Sequence, residues 1–193
     1  MLYDQAMLAL AYTEAYQATG KEEYARTAHE VFTYVLRDMT APTGGFYSGE
    51  DADSEGMEGK FYLWTLEEIR RLLGEEADLM IKVFNVKEEG NFAEEAAERL
   101  TGANILHLEK PLSEIASDLR MPERQLRERL EASRQVLFAA REKRVHPHKD
   151  DKVLADWNGL MVAAFAKGAQ VFDDPRYAGA ARRAADFILE NMR

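Results

Sequence analysis

Residues 1–18, MLYDQAMLALAYTEAYQA, are apolar almost all round, interrupted only by Asp4, Gln5, Thr13, Glu14 and Gln17. A helix of that kind is expected to be buried on most of its sides. Gly20 supplies a stop, because glycine tolerates the left-handed conformation that ends helices. Residues 22–39 read differently: Tyr24, Ala28, Val31, Phe32, Val35, Leu36 and Met39 recur at helical spacing, with Arg26, Thr27, Glu30, Arg37 and Asp38 on the other face. This is an amphipathic helix with one wet side. The arrangement returns near the other end. Residues 157–172, WNGLMVAAFAKGAQVF, are again apolar nearly all round, Asp173-Asp174-Pro175 breaks the helix, and 176–192 are again amphipathic. At an offset of 153, Tyr24-Ala25 meets Tyr177-Ala178, Ala28 meets Ala181, Leu36 meets Leu189 and Met39 meets Met192.

Alternating buried and half-buried helices are what a double ring of antiparallel hairpins requires, since inner helices touch neighbours on all sides and outer ones keep a face in water. An ordinary helical bundle is the alternative. The middle of the chain is less regular. Residues 41–65 carry many glycines and acids and end in a β-like run, Lys60–Trp64. Thr65 and Glu68 form a capping-box pattern that opens a helix to Leu73, and a second helix covers about 75–84. Residues 87–111 read as a loop, with a helical turn near 93–100 and an extended Asn104–Leu108. Pro122 opens a long helix over 122–144 with Leu126, Leu130, Leu137 and Ala140 facing inward and a Glu123/Arg127 pair outside. The expected fold is all-α, with hairpins at 1–40, 66–144 (with an irregular insert at 86–121) and 156–193.

Composition excludes several classes. The chain has 193 residues, 46% hydrophobic and 31% charged, with a formal net charge of −10 and mean hydropathy of −0.44. That supports a real core and argues against disorder and against nucleic-acid binding through a basic surface. No apolar run approaches the roughly 18 residues of a membrane span, and no export leader is evident, so the expected location is the cytoplasm. The absence of cysteine removes disulfides, thiolate metal sites and cysteine nucleophiles. No elbow, phosphate-cradle or dinucleotide motif is present, and no cofactor is called for.

In an antiparallel hairpin the C-terminus of the outer helix shares an end with the N-terminus of the inner one. Three segments meet there: the start of the chain with Tyr3 and Asp4, the acidic loop after Met39, and the loop 145–158. A pocket at that end would be lined by carboxylates, aromatics and amides and would see the positive ends of inner-helix dipoles. Glu50, Asp51 and Asp53 offer paired carboxylates for acid–base work on a polar substrate, or simply a solvated acidic turn. Asp51, Asp53, Glu55 and Gly56 also match the first half of a calcium loop, but its twelfth position is Tyr62 where glutamate belongs. His146 and His148 flank Pro147, which makes the segment extended and points alternate residues the same way; two histidines alone make a weak metal site, and a helix-end contact is the alternative. Asp151 and Lys152 are rim candidates or a solvated turn, and Asp156 a rim candidate or a helix cap. Phe46, Tyr47, Trp64 and Trp157 supply apolar faces of the kind sugar sites stack on, with Asn158 beside them, although core packing accounts for each aromatic taken singly.

Met1-Leu-Tyr-Asp-Gln-Ala6, Gly44-Gly-Phe-Tyr47, Glu50-Asp-Ala-Asp-Ser-Glu-Gly56, Gly59-Lys-Phe-Tyr-Leu-Trp64, Asn104-Ile-Leu-His107, Asp150-Asp-Lys152 and Trp157-Asn-Gly-Leu160 resemble the YyaL/spermatogenesis-associated thioredoxin-like family. The resemblance runs over essentially the whole chain. It implies part of an (α/α)6 toroid of the six-hairpin glycosidase class, which in that family follows a thioredoxin-like domain, and which also resembles sugar epimerases. The thioredoxin-like part is absent from this sequence, so no redox role carries over. The implied activity is carbohydrate-related: sugar binding, epimerisation or glycoside processing. A non-catalytic interaction or cation-binding module is the alternative. Three hairpins are half of a six-hairpin ring, which leaves inner faces to be covered by a second copy or by the rest of the ring.

Overall fold

The structure, a computed structural model, describes residues 1–93 and 100–192. In chain order it contains α1 (Leu2–Thr19), α2 (Glu22–Asp38), β1 (Gly49–Glu50), β2 (Asp53–Ser54), β3 (Met57–Glu58), α3 (Leu66–Leu73), α4 (Ala77–Val83), α5 (Leu112–Asp118), α6 (Glu123–Arg141), β4 (Lys149–Asp150), α7 (Ala155–Phe172) and α8 (Pro175–Asn191). It is an all-α fold with minor β structure. Shifting the bounds of α1 and α2 by 153 positions gives those of α7 and α8, so the sequence repeat is a repeat of helices. Its stops are the expected ones. Gly20 ends α1 at φ 68°, donating its N–H to Tyr16 O, while Asp173 adopts φ 53° and Asp174 caps α8, with Pro175 in its first turn.

The chain divides into two compact units, 1–51 with 148–193, and 52–147. In the first, α1 packs against α2 and α7, and α7 against α8. The core is aromatic: Phe32 stands 4.8 Å from Phe165 and 4.5 Å from Tyr177, and Phe46 lies 5.4 Å from Phe165. Full burial of such a ring contributes roughly 1.5–3 kcal/mol. Gly168 lets α7 approach Phe32, since a Cβ there would stand 2.6 Å from that ring. These neighbours cover one side of α1 only: Leu2, Ala6, Ala9 and Thr13 are buried, whereas Met7 is 54% and Leu8 45% exposed. Burial on most sides, expected from the all-round apolar composition, is therefore not reached within this unit.

In the second unit, Trp64, Ile69, Met80, Val83, Leu126, Leu130 and Leu137 form a separate core. The Thr65/Glu68 capping box opens α3 as expected, and α6 carries the Glu123/Arg127 pair. Buried Asn104 ties distant backbone together, accepting Lys87 N–H and donating to the carbonyls of Trp64, Lys87 and Gly102. Three details depart from expectation. The β-like run at 60–64 is not a strand: Lys60–Tyr62 form turns and only Trp64 bridges, to Asn104, while the hairpin lies at β2–β3. The reason is Arg144, whose Nη1 donates to the carbonyls of Lys60, Phe61 and Leu63. Adjacent carbonyls of a strand point opposite ways and do not converge on one guanidinium. Within the insert expected to be irregular, α5 forms because Leu112, Ile115, Ala116 and Leu119 recur at helical spacing after Pro111. The helical turn expected near 93–100 falls on 94–99, outside the described residues.

Candidate functional site

The first unit brings the expected rim together from three stretches of chain. At the head of α1, Leu2 N–H donates to Ser48 O at 2.8 Å, placing that N-terminus against the strand that carries the acidic string. β1 then pairs antiparallel with β4, Glu50 opposite Lys149 and Gly49 opposite Asp150, and Asp51 N–H donates to His148 O at 2.8 Å. Trp157 in the first turn of α7 meets Tyr3 of α1 edge to face, ring centroids 4.9 Å apart. The N-termini of two helices, an aromatic pair and the β1–β4 ribbon thus share one end of the unit. Asp4 and Asp156 lie in the first turns of α1 and α7.

Side chains at this end divide into those that hold it and those that face water. Glu50, only 12% exposed at its side chain, accepts a hydrogen bond from Tyr34 Oη at 2.7 Å and stands 3.8 Å from the Lys149 ammonium, which in turn donates to Asp38 O. It clasps the ribbon to α2. Asn158 is buried: its Oδ1 accepts Phe46 N–H at 2.8 Å and its Nδ2 donates to Phe46 O at 2.9 Å and Leu154 O at 3.0 Å. Phe46 is fully buried on Phe165. Expected as substrate contacts, Asn158 and Phe46 instead join the loop after α2 to α7 and the core, because the backbone of Phe46 has its partners in that amide. Tyr47 is half-buried.

Tyr3, Asp4, Asp51, His148, Asp151, Lys152 and Asp156 are exposed, and Trp157 is half-buried. Lys152 donates to both Asp150 oxygens, at 3.0 and 3.1 Å; that hydrogen bond first, and one from Ser48 second, hold the Asp150 carboxyl below the usual carboxylate range. Asp150 therefore stays ionised through the physiological range. Asp156 is not the helix cap that the sequence offered: Leu154 stands at the cap of α7 without a side-chain bond, and Asp156, one residue inside the helix, accepts Trp157 N–H at Oδ1 at 2.9 Å. Carboxylates and an aromatic pair at one end of the unit form an acceptor-rich surface with an apolar face, suited to hydroxylated rings.

Three expected site residues belong to the other unit. Asp53 is exposed in β2; Trp64 is 4% exposed beneath Arg144; the His146 ring packs on Phe61 at 4.6 Å with Nε2 at 3.4 Å from Glu142 O, a contact at the end of α6. Glu55, a member of the half calcium motif, turns to Lys60 at 2.9 Å. Among the described residues no group of three or more His, Asp or Glu side chains converges to hold a metal ion, and no helix is long and apolar enough to cross a membrane. The Tyr34–Glu50–Lys149 clasp is a feature that the linear reading missed. Its one signal is Lys149, directly before Asp150-Asp-Lys152.

No protein-family model matches the chain. Aligned over 210 residues, the whole chain is 36% identical to Spermatogenesis-associated protein 20 of Homo sapiens and to that of Mus musculus, and 33% identical to that of Rattus norvegicus. The chain spans about 27% of the length of these curated relatives.

Proposed function

Similarity to Spermatogenesis-associated protein 20 along the whole chain supports that family, and from this premise we propose that the chain is part of a helical toroid that handles a sugar or a similar polar small molecule. The observation that carries the reading is the Tyr3–Trp157 pair at the heads of α1 and α7, with exposed Asp4 and Asp156 in the same first turns and exposed Asp51 and Asp151 following the paired strands β1 and β4. Aromatic faces take the apolar side of a pyranose, carboxylates accept hydrogen bonds from its hydroxyls, and His148 beside Asp51 is the candidate proton carrier for epimerase-like or glycoside-processing chemistry. The hairpin repeat at an offset of 153 supports the toroid. Net charge −10 weighs against a nucleic-acid partner, and the cytoplasm is the proposed location. Titration calorimetry with hexoses, amino sugars and disaccharides tests the reading: saturable heat from one class supports it, and no heat from any class at millimolar concentration removes it.

A second reading, a non-catalytic interaction module, is favoured by the apolar side of α1, where Tyr3, Met7 and Leu8 are exposed, and by Leu160 of α7. Where such exposed apolar residues join into one patch, they mark contact with another chain or another part of the same protein. A second copy or further helices of a ring would cover it. Light scattering discriminates: a dimer that dissociates on Leu8→Glu supports a covered face, and a monodisperse monomer speaks against self-association.

A further inference from the structure

We infer that a second cleft, in the 52–147 unit, binds a small organic anion with a flat apolar body, of the aromatic carboxylate class. The cleft has a volume of about 440 Å³, inside the roughly 300–1,000 Å³ typical of small-molecule sites. Met57, Phe61, Leu63, Trp64 and Val145 give it apolar walls. One wall is stiff: the Arg144 guanidinium lies over the Trp64 ring, 4.0 Å from its centroid, pinned by three backbone carbonyls and by Glu68.

The polar groups of the cleft leave donors in surplus. The carbonyls of Lys60, Phe61 and Leu63 accept from Arg144 Nη1. Glu68 accepts from Thr65 N–H, from Thr65 Oγ1 and from Arg144 Nη2. Glu55 is engaged by Lys60 at 2.9 Å, and Ser54 Oγ donates to Val145 O. Each ammonium carries three N–H groups, so Lys60 keeps donors beyond its Glu55 contact, and exposed Lys143 brings a further set to the lining. Lys60, Lys143 and Arg144 against Glu55 and Glu68 leave a surplus of one positive charge, in a chain whose net charge is −10. A carboxylate meets the unmatched donors while its ring lies along Phe61, Leu63 and Trp64. A neutral ring would gain the walls alone, and a hydroxyl-rich ligand would find few acceptors. This site does not depend on the sugar reading.

The test uses 2-naphthoate and its uncharged isostere 2-naphthalenemethanol, observed through the Trp64 indole N–H resonance in Trp157→Phe protein. The naphthoate is expected to shift that resonance saturably, and the alcohol to bind about two- to fivefold more weakly, because an exposed ion pair is worth up to about fivefold in affinity. Lys143→Glu should weaken the naphthoate by at least about fivefold and leave the alcohol within about twofold; Lys143→Arg should restore the naphthoate. Lys143 is exposed, so these variants fold. Equal affinity for the two ligands, no effect of Lys143→Glu, or a Trp64 resonance that stays put at millimolar naphthoate would each overturn the assignment.

Discussion

Replacing Asn158 tests the joint on which the rim is built. Its amide makes three hydrogen bonds, at 2.8, 2.9 and 3.0 Å, and two of them are the partners of the Phe46 N–H and C=O. Each bond contributes about 1 kcal/mol net, and each buried group left without a partner costs about 1–3 kcal/mol, so Asn158→Ala should destabilise the protein by about 3–5 kcal/mol. For a chain of this size that lowers Tm by about 6–20 °C. Asn158→Asp is the sharper version. One carboxylate oxygen would still accept Phe46 N–H, but the other would face two carbonyl oxygens, so the folded state would retain a proton and raise this pKa above the ordinary value of about 3.9. With the folded pKa raised, the variant's stability relative to the parent is fully present below pH ~4. It is lost as pH rises, at about 1.4 kcal/mol per unit, until the folded pKa is passed. Urea unfolding of parent, Asn158→Ala and Asn158→Asp proteins between pH 4 and 8 measures both effects. A loss below about 1 kcal/mol for alanine, or a pH-independent difference for aspartate, would refute the joint.

Gly168→Ala should cost about 1–3 kcal/mol by chemical denaturation, because the new Cβ would stand 2.6 and 2.7 Å from Phe32 ring atoms and overpack the contact between α7 and α2. Phe32→Leu in the same chain should recover part of that loss. Burial pushes the Tyr177 phenol up to about 12. Since the unfolded chain loses this proton near pH 10 and the folded one does not, stability should fall by about 1–2 kcal/mol between pH 10 and 12. The fall should be absent from Tyr177→Phe, as read by denaturation midpoints along the alkaline limb. Glu50→Gln should leave the β1–β4 ribbon in place yet loosen it, with faster amide exchange at Asp51, because Lys149 loses its anionic partner while Tyr34 keeps an acceptor.

What could be read from the linear sequence was whatever repeats or caps locally. The offset of 153, the Gly20 and Asp173–Pro175 stops and the Thr65/Glu68 box all rest on residues within a few positions of their effect, and the helices follow them. The gathering of Tyr3, Asp51, His148 and Trp157 at one end also follows, because hairpin geometry alone puts those segments together. What depends on a partner far along the chain was hidden. Phe46 and Asn158 bond across 112 positions, and nothing near either residue announces it. Lys60–Trp64 looks like a strand by composition, and only Arg144, more than 80 positions away, turns its carbonyls inward. The all-round apolar composition of α1 predicts burial on most sides, but within its own unit the helix has neighbours on one side only.

The rim reading is tested most directly by Trp157 emission in a Trp64→Phe background, titrated with hexoses, amino sugars and disaccharides. A saturable change is expected with at least one of these classes, weakened at least about tenfold when Tyr3→Ala removes the ring that Trp157 meets and when Asp51→Asn removes a carboxylate acceptor. A Trp157 signal unmoved by every sugar at millimolar concentration, or one that Tyr3→Ala and Asp51→Asn leave unchanged, would contradict it.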